Sequence, residues 1–316
     1  MNESCIHSGF ISLIGRPNTG KSTLLNHLAG IRLAITSPKA QTTRQVIRAI
    51  LDDETSQMIF LDTPGVHKSR TRLGDYMAAS TAMALADGDI ILLLIDADAA
   101  VRSPKGPKVP DLEAEILEKA SQMKKPVILV LNKVDRTVKE SLLPLLAAYA
   151  AAFDFAALIP ISALTGDGIS QLVETMRGLL PAGPRYFPAE SLTDQTEREL
   201  AGELVREQIL MLTSEEIPHG TAVEIESFEE FDKPGTEPPE RERVRISASI
   251  YCDKDSHKGI LIGKNGSMLK KIGTAARLQI EHMLDCTCYL ELHVKVRDDW
   301  RNRIGILRNL GYEIRK

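Results

Sequence analysis

Up to about residue 180 the chain alternates short apolar runs with longer stretches of helical periodicity. The apolar runs are FISLIG (10–15), QVIRAIL (45–51), MIFLD ending at Asp62, DIILLLID (89–96), PVILVLNK (126–133) and ALIPIS (157–162). Between them the periodicity predicts helices from Lys21, over 72–86, from Asp111, near 139–152 and from Ile169. Apolar strands separated by helices predict a mostly parallel sheet covered on both faces. The stretch PAGPRYFPAESLTDQ (181–195) holds three prolines and a glycine and predicts a linker. Beyond it the order changes to a helix over 196–212, alternating strands near 221–228 and over 243–251, two helices flanking a glycine loop at 263–266, a strand over 289–296 and a last helix from about 299. The expected organisation is an α/β domain (1–180), a linker (181–195) and a smaller α+β domain (196–316).

Composition narrows the class. A chain of 316 residues suits two domains, and 43% hydrophobic with 26% charged residues excludes a disordered or membrane-spanning protein. The longest apolar stretch, Leu142 to Phe153, has 12 residues, short of the ~20 needed to cross a bilayer. Four cysteines without C-x-x-C spacing, and an N-terminus without a basic-then-apolar leader, lead us to expect a reducing cytoplasm and no structural disulfides. Cys286 and Cys288 share strand parity with Leu290, Leu292, Val294 and Val296, which places them toward the core. The net charge of -4 hides a split. Residues 241–316 hold 16 Lys+Arg against 9 Asp+Glu, a net of +7, which leaves -11 for residues 1–240. A basic tail on an acidic chain points to an anionic partner for that tail; the competing reading is a solvated basic face.

The first domain carries the clearest chemistry. Gly15-Arg16-Pro17-Asn18-Thr19-Gly20-Lys21-Ser22 fits G-x-x-x-x-G-K-[ST] between a predicted strand and a predicted helix, where backbone N–H groups can curl round a phosphate. Lys21 would supply a cation to the β and γ oxygens and the Ser22 hydroxyl would ligate Mg2+, with Thr23 continuing the phosphate site. Asp62-Thr63-Pro64-Gly65 ends an apolar run; there Asp62 would serve the Mg2+ shell and Gly65 would bring its amide close to the γ-phosphate. Alone, this tetrapeptide is also a good turn. Asn132-Lys133-Val134-Asp135 follows the next strand but one, and a carboxylate at Asp135 can accept two hydrogen bonds from guanine that adenine does not offer. Ser162-Ala163 ends a later strand, placed to support Asp135 and to offer an N–H to guanine O6.

These four signals, in this order and each at the end of a predicted strand, resemble the TRAFAC-class GTPases over residues 9–180. The resemblance implies GTP as ligand, Mg2+ as cofactor, hydrolysis to GDP with Lys21 and Gly65 at the reacting phosphate, and a switch loop whose threonine closes on the metal. That loop contains Gln41-Thr42-Thr43, and both threonines remain open, with Thr43 preferred. Many such GTPases place a glutamine after D-x-x-G, whereas this chain has Val66. It is therefore similar to the subgroup with a hydrophobic residue there, which implies slow intrinsic hydrolysis. In several members of that subgroup an asparagine at the place of Asn18 helps hold a monovalent cation, so we expect stimulation by K+. His67 stands next to Val66 and reads more readily as a solvated histidine than as a base.

In the second domain Gly263-Lys264-Asn265-Gly266 is a G-x-x-G loop, preceded by Gly259 and Ile262 and followed by Leu269, Ile272, Ala276, Ile280 and Met283 at helical spacing. Lys270, Lys271, Thr274 and Arg277 fall on other faces of that helix. This ensemble resembles a type II KH domain, a single-strand RNA reader in which the glycines let the backbone approach the nucleotides while Lys264, Asn265 and the helix cations contact them. Trp300 reads as a cap on the core before it reads as a base-stacking platform. The two domains in this order resemble a family of bacterial ribosome-assembly GTPases over essentially the whole chain. The resemblance implies binding to the 3′ end of the small-subunit (16S) ribosomal RNA, assistance to maturation of that subunit, release after hydrolysis, and peripheral association with the inner face of the membrane. No heptad or exposed strand argues for a dimer, so a monomer is expected. Two other classes stay in view: an ATP-using P-loop enzyme, which Asp135 disfavours, and a GTP-dependent switch whose second domain docks a protein.

Overall fold

The computed structural model describes residues 6–39, 41–66, 71–104, 106–236 and 240–313, so Cys5 and His67 lie outside the described residues. The chain forms two compact units that divide between Asp194 and Gln195, with residues 71–76 grouped with the second.

The first unit runs β1 (Ile6–Gly15), α1 (Lys21–Ala29), β2 (Ile47–Asp52), β3 (Ser56–Asp62), α2 (Arg72–Asp87), β4 (Ile90–Asp96), α3 (Ala97–Val101), α4 (Asp111–Gln122), β5 (Val127–Asn132), α5 (Leu142–Ala152), β6 (Ala157–Pro160), α6 (Ile169–Leu179) and β7 (Ala182–Gly183). Its sheet has the order β2-β3-β1-β4-β5-β6, parallel except for β2 against β3. Strand parity explains the two apolar layers. On β4, Ile90, Leu92 and Leu94 pack with Leu24 and Leu25 of α1 and Leu172 and Met176 of α6. Ile91, Leu93 and Ile95 pack with Leu85 of α2, Ile116 and Leu117 of α4, and Leu142 and Leu145 of α5. Burying both faces is why the strands read as unbroken apolar runs, each such side chain contributing about 1.5–3 kcal/mol. β1 is central, flanked by β3 and β4, and the loops leaving the carboxyl ends of β1, β3, β5 and β6 open on one edge.

The expected linker is a strap on this unit up to Asp194. β7 pairs antiparallel with the first residues of β1, which begin before β4 does. The buried Gln57 amide accepts from the N–H groups of Tyr186 and Phe187 (2.7 and 3.0 Å) and donates to the Phe187 carbonyl (3.0 Å). Ile50 N–H donates to Leu192 O at 2.9 Å, and Arg185 pairs with Asp52 at 3.0 Å. The prolines interrupt regular structure here without freeing the chain.

The second unit contains α7 (Glu197–Leu212), β8 (Thr221–Asp232), β9 (Arg241–Cys252), α8 (Asp255–Ile262), α9 (Ser267–Leu284), β10 (Thr287–Val296) and the short α10 (Ile304–Asn309). Thr196 caps α7 reciprocally: its Oγ1 accepts from Glu199 N–H at 3.3 Å while Glu199 accepts from Thr196 N–H at 2.9 Å. The sheet order is β10-β9-β8, with β10 parallel and β8 antiparallel to β9. Ala201, Val205 and Ile209 of α7 and Ile272, Ala276 and Ile280 of α9 pack against Val244, Ile246, Ala248 and Ile250 of β9. Cys252 and Cys288 are buried free thiols, and the half-buried Cys286 packs at the edge of the same cluster. Trp300 is fully buried and donates its indole N–H to Gly220 O at 2.9 Å, so it belongs to the core and offers no stacking face.

Candidate functional site

The loop after β1 folds over itself because its residues permit it. Asn18 and Gly20 adopt positive φ (63° and 96°), and a Cβ on Gly20 would stand 2.1 Å from the Asn132 amide nitrogen, so only glycine fits. Lys21 opens α1 with its ammonium buried, donating to the carbonyls of Gly15 (3.2 Å) and Arg16 (3.0 Å). Thr19 Oγ1 closes the same loop on Arg16 O at 3.1 Å. Asn18 donates its side-chain amide to Pro38 O at 2.8 Å, tying this loop to the switch segment.

Three oxygens converge beside it. Ser22 Oγ lies 2.7 Å from Asp62 Oδ2, Thr43 Oγ1 lies 3.2 Å from the same atom, and the two hydroxyls are 3.0 Å apart. Asp62 is fully buried and its Oδ1 has no hydrogen-bond partner among the described residues. An orphaned carboxylate oxygen beside two hydroxyls is a donor set for a small hard cation such as Mg2+. Burial lowers the pKa of Lys21, opposed by the charge of Asp62, and raises that of Asp62, opposed by Lys21, Ser22 and Thr43. A dry ammonium and a dry carboxylate a few ångströms apart suit a ligand that brings both phosphate and metal. Of the two switch threonines, Thr43 faces this cluster, whereas Thr42 bonds Ser37 Oγ (2.9 Å) and Lys39 O (2.7 Å) within its own loop. Gln41 beside them has φ 58°.

The segment after β3 is pinned from both sides. Thr63 Oγ1 donates to Leu13 O at 2.7 Å, and Pro64 O accepts from Thr81 Oγ1 at 3.0 Å. A Cβ on Gly65 would stand 2.8 Å from the backbone of Pro17, so the glycine is what lets this segment touch the phosphate loop. Val66 donates its N–H to Gly15 O at 3.2 Å, and its side chain packs into the apolar layer under α2 and α4. It supplies no polar group to the site.

At the other end Asn132 links three motifs. Its amide donates to Thr19 O at 2.8 Å, and its carbonyl oxygen accepts from Ala163 N–H (2.9 Å) and Lys133 N–H (2.8 Å). Lys133, at φ 69°, bonds Asn18 O and Asp96 Oδ2, both at 2.6 Å. Ser162 Oγ donates to Asp135 Oδ1 at 2.7 Å. A cavity of about 420 Å³ runs between the phosphate loop, the switch segment and Lys133, bordered by Ser22, Thr23, Thr43 and Gly65. The sequence reading misses Asp96, although an acidic residue at the carboxyl end of a sheet strand is the signal that marks Asp62. It also misses Glu113, a charged residue on a helix whose surface character the pattern does not contradict.

The second unit has its own groove. Gly263 has φ 71°, and a Cβ there would stand 2.8 Å from Met268 N; Asn265 and Gly266 also have positive φ (53° and 76°). Lys264 and Asn265 are exposed at the tip. A groove of about 390 Å³ lies against Gly266, Leu269, Lys270, Gly273, Thr274 and Arg277 of the loop and α9, and Leu290 and Leu292 of β10. Arg277 lies 2.7 Å from Glu281. Lys271 is exposed and does not border this groove, and Gly259 and the half-buried Ile262 lie on α8 before the loop. The β10 leucines form a wall that the sequence alone places only in the core.

Residues 10–133 match the family described as 50S ribosome-binding GTPase, and residues 216–301 match the KH domain family. The GTPase Era of Ruminiclostridium cellulolyticum is 46% identical over 309 residues, covering 98% of both chains, and that of Geobacter metallireducens is 45% identical over 312 residues. The chain belongs to the Era family of GTPases. Two solved Era structures superpose with a TM-score of 0.88 at 37% identity over 98% of this chain: one in complex with MgGDPNP and nucleotides 1506–1542 of 16S ribosomal RNA, the other a variant of Aquifex aeolicus Era bound to GDP·AlF4-. The Era assignment decides between the classes left open above: the chain is a GTP-hydrolysing P-loop protein with a KH domain, not an ATP-using enzyme.

Proposed function

We propose that this GTPase binds the single-stranded 3′ end of 16S ribosomal RNA in the groove beside Gly263–Gly266, assists maturation of the small ribosomal subunit, and is released after hydrolysis. The observation that carries this reading is the groove: positive-φ glycines at its mouth, an apolar wall of Leu290 and Leu292 facing Leu269, and the cations Lys270 and Arg277, the chemistry of a single-strand RNA reader. The Era complex with a 16S fragment, alike over nearly the whole chain, supplies the RNA's identity.

In the first unit the phosphates lie along the loop Gly15–Ser22, with Lys21 on the β and γ oxygens and the Gly65 N–H on the γ-phosphate. Bound Mg2+ would be held by Ser22, Thr43 and Asp62 and would neutralise charge on the β and γ oxygens. Asp135, fixed by Ser162, accepts from guanine, and Ala163 N–H faces O6. With Val66 in the apolar layer where many such GTPases place a glutamine, intrinsic hydrolysis is slow. Asn18 at the loop's turn is the residue we assign to a monovalent cation; equal turnover in KCl and NaCl would remove that role. The protein acts as a monomer in the cytoplasm. Peripheral association with the inner membrane face is proposed from the family resemblance alone; no described helix is long and apolar enough to cross a membrane. Sedimentation with membranes after RNase treatment tests that association.

The central test measures affinity for an oligonucleotide of the 16S 3′ end with GDP and with a non-hydrolysable GTP analogue. We expect tighter binding with the analogue. Gly263→Asp should abolish RNA binding and leave nucleotide binding intact. Equal RNA affinity in both nucleotide states would sink the coupling, and capture of a protein in place of RNA by in-cell crosslinking would sink the RNA reading.

A further inference from the structure

A buried carboxylate stands behind the phosphate loop, and nothing in the scheme above uses it. Glu113 lies on α4, 3% exposed, between two other elements. Its Oε1 accepts from Arg16 Nε–H at 3.0 Å. Its Oε2 accepts from the hydroxyl of Tyr149 on α5, a residue only 1% exposed. Arg16 is the first residue of the phosphate loop after Gly15, and its carbonyl accepts from both the Lys21 ammonium (3.0 Å) and Thr19 Oγ1 (3.1 Å). One unbroken chain of polar contacts therefore runs from Tyr149 through Glu113 and Arg16 to the amine that reaches the phosphates.

Such a contact is expensive. A carboxylate in an apolar layer gives up its hydration, and a hydrophobic residue of similar volume commonly packs there at no loss of stability. Burial pushes the Glu113 carboxyl up, opposed by the Tyr149 hydroxyl and the Arg16 guanidinium, and the Tyr149 phenol is pushed well above its ordinary value. The neighbouring side chains of this layer, Ile116, Leu117, Leu142 and Leu145, are apolar. Within that wall the carboxylate offers the Arg16 side chain an ionic partner at the start of the loop, in addition to the bond from Lys133 to Asn18 O farther along it.

We propose that Glu113 and Tyr149 are positioning residues for GTP hydrolysis, which fix Arg16 and through its carbonyl set where the Lys21 ammonium sits. On the β-phosphate, which GDP keeps, Lys21 shares the load with the backbone N–H groups of the loop, so a small displacement of the lysine costs less in GDP affinity than in turnover. Charge that develops on the γ-phosphate in the transition state would be met by that amine together with the Gly65 N–H and bound Mg2+, and the amine's share is lost in turnover.

The inference rests on the assignment of Lys21 to the phosphates, which Lys21→Ala tests by itself. With the full chain, kcat for GTP and Kd for a fluorescent GDP are measured for Glu113→Gln, Tyr149→Phe, Arg16→Gln and the Glu113→Gln/Arg16→Gln double variant. Tyr149→Phe keeps the ring and removes only the hydroxyl, so it reports even if Glu113→Gln folds poorly. We expect kcat to fall about tenfold in Glu113→Gln and severalfold in Tyr149→Phe, with GDP affinity within threefold of the parent. We also expect the double variant to be no slower than the slower single variant, since all act through one chain. Turnover within twofold of the parent in both Tyr149→Phe and Glu113→Gln overturns the proposal. So does a double variant whose loss is the product of the single losses, or a GDP affinity that falls as steeply as kcat. If Lys21→Ala leaves turnover unchanged, it is the reading of the site that fails.

Discussion

Asp135 can be read for base selection from one hydrogen bond. Ser162 Oγ donates to its Oδ1 at 2.7 Å, which orients the carboxylate and leaves acceptor capacity for two donors on a base edge. Guanine presents N1–H and the amino group; xanthine presents N1–H and a carbonyl. Asp135→Asn should therefore weaken GTP binding by about 10²-fold or more and favour xanthosine triphosphate, because an amide offers one acceptor and one donor in place of two acceptors. Competition between the two nucleotides checks this, and unchanged guanine preference would remove Asp135 from the role. Gly65 gives a different signature. An added methyl at 2.8 Å from the Pro17 backbone must push the two loops apart, so Gly65→Ala should lower kcat at least tenfold while GDP, which lacks the γ-phosphate, binds nearly as before. Stopped-flow nucleotide binding with single-turnover hydrolysis separates the two effects. At this scale the motifs were legible because each residue type is dictated by the ligand. The choice between Thr42 and Thr43 was not, since adjacent residues in a loop have no periodicity to tell their directions apart, and only the folded loop turns Thr43 Oγ1 to Asp62. Asp96 and Glu113 escaped for a related reason: their partners, Lys133 and Arg16, are distant in sequence.

Elements were legible where one physical pattern dominates. The strands of the first unit are apolar on both faces and bounded by breakers, and α9 carries Ile272, Ala276 and Ile280 at helical spacing, so both could be read directly. The stretch 181–195 could not, because proline and glycine report the absence of regular structure, not the absence of contact. The informative residue was elsewhere: Gln57, a polar side chain buried at the head of the apolar run of β3, has no reason to be buried unless it meets backbone groups. It does meet them, at Tyr186 and Phe187. Gln57→Ala should therefore destabilise the first unit by about 1–2 kcal/mol, because the Tyr186 and Phe187 N–H groups and the Phe187 carbonyl of the strap lose their partner. Hydrogen exchange should show faster exchange at Tyr186 and Phe187 with the centre of the sheet unchanged. Uniform acceleration across the sheet would mean that the strap is not a separable element.

For the whole molecule the division of charge is the property that links sequence to function. The net -4 hides a split that falls inside the second unit: residues 195–240 hold 3 Lys+Arg against 13 Asp+Glu and residues 241–316 hold 16 against 9, whereas residues 1–194 are nearly balanced at 20 against 21. A unit that holds one nucleotide through backbone N–H groups, a buried lysine and a metal depends on contacts of a few ångströms, which salt screens little. A groove that holds single-stranded RNA depends on releasing the counterions of several phosphates, and its affinity falls as a power of salt concentration, with a slope of about -0.7 per neutralised phosphate. Lys264 at the loop tip and Lys270 and Arg277 along the groove would supply three such contacts. A plot of log affinity against log salt for the 16S 3′ oligonucleotide should therefore have a slope of about -2, while GDP affinity over the same range changes by less than about threefold. Lys270→Ala should make the slope shallower by about 0.7 and leave nucleotide affinity alone. A slope near zero would mean that the basic excess of residues 241–316 is only a solvated face, and that the groove binds through stacking or protein contact.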